Sequence, residues 1–145
     1  MSKSITGLFI LTAALFTACA PLPPTPQDLQ AKKFEAVPNQ SVIYIVRTPM
    51  DSRQVGSLML DDGGSLTTYR DTYYRWVVAP GRHRIAGFGQ QNAVITLDTE
   101  AGKIYFVEHT VLGTTRTGAA FTFLRRMDEQ AGREAVLRSE LLSPF

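Results

Sequence analysis

The sequence predicts a mainly β protein, a small antiparallel β-sandwich with a C-terminal helix. Three observations predict it. From Asn39 onward the chain is a succession of short β-prone runs cut by Gly-, Asp- and Pro-bearing turns, the texture of a sandwich or barrel. The first of these runs, Ser41 to Thr48 (SVIYIVRT), is apolar on both faces, which suits a strand covered on both sides near the middle of a sheet. The last stretch, Asp128 to Leu142, changes from strand to helical spacing.

Taken in order, the chain opens with a segment that is not part of that fold. Met1 to Ser4 carries one positive charge, Ile5 to Phe16 is an apolar run, and small residues Thr17 and Ala18 precede Cys19, the chain's single cysteine. A basic start, an apolar core of this length and a small-residue exit mark residues 1–18 as a secretory signal peptide. The run falls short of the about 20 apolar residues that span a bilayer. Leu15-Phe16-Thr17-Ala18-Cys19 resembles the lipobox of bacterial lipoproteins, although Phe16 stands where that motif usually has Leu. The resemblance implies that Cys19 becomes the lipidated first residue and that its several acyl chains anchor the protein permanently to membrane lipid. Ala20 after the cysteine, rather than Asp, implies by the same resemblance the outer membrane, with the protein facing the periplasm. The alternative is an ordinary signal peptide cut nearby, leaving a free thiol or an intermolecular disulfide.

Removing residues 1–18 leaves 127 of the 145 residues and takes away Lys3, so the remainder is nearly neutral. A nucleic-acid partner, which would call for a strongly basic domain, is not expected. The length suits one domain with a real core, and with its single cysteine spent on lipid that core must stand without a disulfide.

Residues 19–38 hold Pro21, Pro23, Pro24, Pro26 and Pro38, five of the eight prolines. They are read as a semi-rigid spacer that holds the domain clear of the lipid. A short helix is expected inside it, with Thr25 as N-cap, Pro26 at the first helical position, Asp28 at the capping-box position and a body reaching Glu35. Residues 39–145 form the sandwich domain. After Ser41–Thr48, Pro49 to Ser52 turns the chain and Gln54 to Leu60 makes a strand. Asp61-Asp62-Gly63-Gly64 supplies the positive φ values of a tight hairpin. Leu66 to Tyr69 and Tyr73 to Val78 follow as strands, with Arg70-Asp71-Thr72 a bend or bulge between them. Ala79-Pro80-Gly81 is a turn. Strands are then predicted at Arg82–Phe88, Ala93–Leu97, Lys103–Leu112 and Phe121–Arg125, with a loop over Gly113–Gly118. In the closing helix Asp128 is the N-cap, Gly132 costs about 1 kcal/mol relative to alanine, and Pro144 is the stop. Such a helix suits the covering of a sheet edge or open end.

The pieces IYIVR, LDDGG, YRWVVAPGRHRI, AGKIYFVEH and EQAGREAV, in that order, resemble a family of short bacterial lipoproteins classed as a domain of unknown function. The APGRH turn is also similar to one in PEGA-type β-sandwich modules of cell envelopes. Neither resemblance implies a catalytic residue or a cofactor.

Residue chemistry points the same way. There is no G-x-x-x-x-G-K phosphate loop, and Gly87-Phe88-Gly89 lacks the rest of a dinucleotide fingerprint. His83 and His109 are far apart, and His109 lies on the opposite strand face from Glu108, so surface or sheet-packing roles are expected for both histidines and no metal site. No serine has an elbow setting. The densest unusual feature is Tyr69-Arg70-Asp71-Thr72-Tyr73-Tyr74-Arg75-Trp76, in which aromatics beside arginines suit a sugar face or a partner protein. Alternation puts Tyr73 and Arg75 on one face and Tyr74 and Trp76 on the other, so one pair is core. Tyr69, Tyr73, Arg75 and Trp76 are the candidate binding residues. The function expected is a membrane-anchored, non-catalytic binding or scaffold module of the cell envelope, taking a protein or glycan. The competing readings are an envelope hydrolase with an unrecognised active site and a structural subunit of an envelope complex, the latter marked by an exposed apolar patch on a sheet face.

Overall fold

A computed structural model describes residues 23–47, 55–113 and 120–142. The signal peptide, Cys19, the Pro49–Ser52 turn and the Pro144 stop lie outside the described residues. The elements are α1 (Pro26–Ala31), β1 (Ser41–Arg47), β2 (Gly56–Leu60), β3 (Gly64–Thr68), β4 (Thr72–Val78), β5 (Gly81–Phe88), β6 (Ala93–Thr99), β7 (Ile104–Gly113), β8 (Ala120–Met127), α2 (Glu129–Leu137) and β9 (Glu140–Leu141). They form a β-sandwich. One sheet has the order β8-β7-β1-β4-β9 and the other β3-β2-β5-β6. Pairing is antiparallel except for β1 with β7 and β4 with β9.

Strand β1 sits between β4 and β7, and all seven of its residues are buried. Its two apolar faces serve two cores. Ile43 and Ile45 face the second sheet and pack with its Leu58, Leu60, Ile85 and Leu97 and with Tyr105 and Val107 of neighbouring β7. Val42, Tyr44 and Val46 face the other way, into a cluster with Tyr73, Phe106, Ala31, Ala135 and Val136. The molecule therefore has three layers: helices, five-stranded sheet, four-stranded sheet. A strand apolar on both faces is what the middle layer requires.

Three expectations are corrected. The spacer expected over residues 19–38 gives way to folded structure from Thr25 on. Thr25 Oγ1 accepts from the Asp28 N–H (3.1 Å) and caps α1. Asp28 and Ala31 are buried, and Phe34 and Val37 pack on the core. The helix stops at Ala31, short of Glu35, because Phe34 turns the chain back at a φ of 54° and lays its ring against Tyr44, 5.5 Å between centroids. The closing helix ends at Leu137 rather than Leu142. Leu141 then donates its N–H to Asp28 Oδ1 (3.0 Å) and Leu142 to the Tyr73 carbonyl (2.8 Å), bonds a continued helix could not make. Finally, α2 covers a sheet face, not an edge: Gly132 is glycine because a Cβ there would overlap the ring of Phe106 on β7. The helix-propensity loss at Gly132 is the cost of that close approach.

The Arg70-Asp71 bend is where the chain leaves the four-stranded sheet at the end of β3 and enters the five-stranded sheet at β4. Asp71 has a φ of 62°, and Thr72 Oγ1 donates to the Tyr69 carbonyl (2.6 Å).

Candidate functional site

The alternation in β4 is as the sequence predicts, and it disperses the four candidate residues. Tyr73 points into the helix-side core, is fully buried, and donates its hydroxyl to Asp28 Oδ1 (2.9 Å). It cannot touch a ligand. Burial, reinforced by the Asp28 carboxylate, pushes its phenol well above the ordinary tyrosine range. Trp76 faces the four-stranded sheet, half-buried, with its ring edge-on to His83 at 5.3 Å. Tyr69 stands at the bend, exposed. Arg75 alone reaches a concave surface.

That surface is a cleft of about 650 Å³ between α1, the 35–38 loop and the β4–β9 edge. Pro26, Ala31, Ala36, Val37, Pro38, Leu141 and Leu142 give it apolar walls, and Gln27, Gln30, Glu35 and Arg75 place polar groups among them. Sequence order sets the site up. Pro26 and the Thr25 cap fix the start of α1, and Ala31 lets the helix sit close on the sheet. Asp28 then ties α1 to β4 through Tyr73 and to β9 through Leu141, with Lys32 Nζ 2.8 Å from its other oxygen. The Tyr44 hydroxyl donates to the Ala31 carbonyl (2.6 Å) and engages the Arg75 guanidinium. Burial raises the Tyr44 phenol, and the Arg75 and Arg133 charges partly offset the rise. Arg75 is half-buried, and its Nε is enclosed with no hydrogen-bond partner. At the rim, Gln30 Nε2 donates to Glu35 Oε2 (2.7 Å). An apolar trough with one cation, one carboxylate and two side-chain amides can hold a partly apolar group that also carries hydrogen-bonding atoms. Sequence reasoning named Arg75 but not the cleft, because its walls come from segments about 100 residues apart that periodicity does not connect.

The histidines lie outside the cleft. His109 is fully buried between the sheets, its Nδ1 3.1 Å from Thr68 Oγ1 and its Nε2 2.8 Å from Thr122 Oγ1. Burial, with the Arg47 charge added, holds its pKa down at about 3. Gly56 makes room for that ring: a Cβ there would stand 2.6 Å from His109 Cε1. His83 Nδ1 lies 2.9 Å from Asp61 Oδ2, and its Nε2 lies 2.7 Å from the Ala79 carbonyl. Burial works to raise the Asp61 carboxyl, but the Arg84 N–H and His83 outweigh it and hold the group below its ordinary value. Both histidines brace the fold. Among the described residues no cluster of three His, Cys, Asp or Glu side chains could hold a metal ion, and no helix is long and apolar enough to cross a membrane.

A second, shallower depression of about 280 Å³ lies on the outer face of β7 and β8, lined by Glu108, Thr110, Leu112, Phe123 and Arg125. Leu112 pairs across the strands with Phe121, and Leu112, Phe121 and Phe123 are all exposed. Arg125 Nε bonds Glu108 Oε2 (2.9 Å) beside them.

The fold and the cleft define a small β-sandwich with a helix-walled trough at the β4–β9 edge of its five-stranded sheet. No protein-family model matches the chain, and no curated protein matches it.

Proposed function

We propose that this chain is a bacterial envelope lipoprotein, anchored in the outer membrane through acylated Cys19 and facing the periplasm. Its sandwich acts as a non-catalytic binding module. The lipobox-like LFTAC and the apolar leader support the anchor. The observation that carries the binding role is the Arg75 cleft. Its volume falls within the about 300–1,000 Å³ typical of ligand sites. Its mixture of aliphatic wall, cation, carboxylate and amides suits a short segment of an envelope protein or one or two sugar rings. A photo-crosslinking residue at Gln30 on the cleft rim, placed in the full chain in cells, tests it, with the same residue at exposed Ser65 on β3 as the control. A discrete adduct at position 30 that is absent at 65, and is lost when Ala36→Trp fills the cleft, supports the reading. Equal labelling at both positions contradicts it.

One observation favours a second reading, a structural component of a larger envelope assembly. The exposed trio Leu112, Phe121 and Phe123 forms an apolar patch on an edge of the five-stranded sheet. A crosslinker at Phe123 that captures a partner while Gln30 does not would favour that reading over the cleft.

A further inference from the structure

The folding of residues 25–38 onto the sandwich removes most of the expected spacer, and this limits where the domain can stand. Helix α1 is pinned at several independent points. Ala31 is buried in the core, Tyr44 holds the Ala31 carbonyl, and Asp28 holds Tyr73 and the Leu141 N–H. The Thr25 cap is part of the same unit. Six peptide steps, from Cys19 to Thr25, therefore set the longest tether between the acylated residue and this unit. Fully extended, these reach at most about 22 Å; in polyproline geometry they reach about 19 Å. The acyl chains hold Cys19 at the boundary of the hydrocarbon, and the headgroup layer above it takes up about 6 Å of that reach. The α1 end then stays within about 15 Å of the lipid surface, less than half the roughly 35 Å breadth of a domain this size.

The surface held there is suited to contact. Leu29 projects from α1 with 54% of its area exposed. Lys33, one turn further on, is exposed, whereas Lys32 is turned inward onto Asp28. An apolar side chain beside an exposed ammonium group fits the boundary of an anionic bilayer. Pro26 and Gln27, next to the tether, also line the cleft.

We propose that the α1 face, with Leu29 and Lys33 foremost, rests on the bilayer in which the protein is anchored, so that the cleft opens at the membrane surface and takes its ligand there. The inference rests on acylation of Cys19. The occupant of this face is the lipid surface itself. The four-stranded sheet, two layers away, points into the periplasm.

The test uses the full chain, purified from membranes with its lipid and reconstituted into vesicles containing phosphatidylglycerol. An environment-sensitive fluorophore is placed on Leu29→Cys or on Ser65→Cys, both exposed positions, and the vesicles carry headgroup spin-labelled lipid as quencher. Intact mass is measured on the same samples. With Cys19 acylated, quenching at position 29 is expected to exceed that at position 65 by about threefold, because the tether keeps the α1 end within about 15 Å of the lipid surface while β3 lies two packed layers, about 20 Å, further off. Acylated protein with equal quenching at the two positions overturns the proposed orientation and leaves the anchor standing. Protein with no acyl group on Cys19 overturns both.

Discussion

Lowering the pH from about 7.5 to about 5 charges His109 in the unfolded chain but not in the folded one. In the fold its pKa is held at about 3 by burial and the nearby Arg47 charge; in the unfolded chain it returns to about 6.5. A depressed folded value means the stabilisation is complete above the unfolded pKa and is lost as the pH falls below it. At pH 5 the unfolded state gains about 2 kcal/mol from protonating this ring. That figure hardly changes if the folded value is anywhere below about 4, because the folded ring is then neutral throughout the window. Asp61 is also held low, but its stabilisation fades only as the pH falls through the ordinary carboxylate range, beneath this window. The perturbation is His109→Gln, which keeps an uncharged group able to bond Thr68 and Thr122. Urea unfolding followed by the single tryptophan, Trp76, gives stability at each pH. Comparing the two proteins cancels His83 and the carboxylates. Whatever the gap between them at pH 7.5, it should move by about 2 kcal/mol in favour of the variant at pH 5. Wild type and variant with parallel pH dependence would refute a neutral, buried His109.

Other outcomes follow from single contacts. Gly132→Ala gains helix propensity yet should destabilise by about 1–3 kcal/mol in urea, because the new methyl meets the Phe106 ring. Asp28→Ala leaves the Tyr73 hydroxyl and the Leu141 N–H without their acceptor and should cost about 3 kcal/mol, with amide exchange of Leu141 and Leu142 accelerating most. Asp128→Ala removes the oxygen that accepts from the Ala131 N–H (2.9 Å) and should cost about 1 kcal/mol by the same unfolding assay.

Much of the sandwich was legible. Period-two runs and Asp-Gly turns located the strands β1 to β8 to within a few residues, and the two-sided apolar pattern of Ser41–Arg47 placed β1 in the middle of a sheet. What escaped was decided by contacts distant in sequence. Residues 26–38 read as spacer because prolines set the local composition, while Ala31, Phe34 and Val37 find their partners on β1 and β7. Leu141 and Leu142 fit a helical pattern, yet pair with β4 because Asp28, 113 positions earlier than Leu141, accepts the Leu141 N–H. At the candidate site, alternation split Tyr73 and Arg75 from Tyr74 and Trp76 correctly. It gave no sign that both faces of β4 would be covered, which buries Tyr73 and leaves Arg75 as the one candidate at a cleft.

The most direct test of the central claim is intact-mass analysis of the protein extracted from membranes, beside a Cys19→Ala variant. A lipid-anchored protein should yield a chain that begins at Cys19 and carries acyl groups, with the variant lost from the membrane fraction. Unmodified wild type in the soluble fraction would contradict it and would free the domain from the membrane on which its proposed role depends.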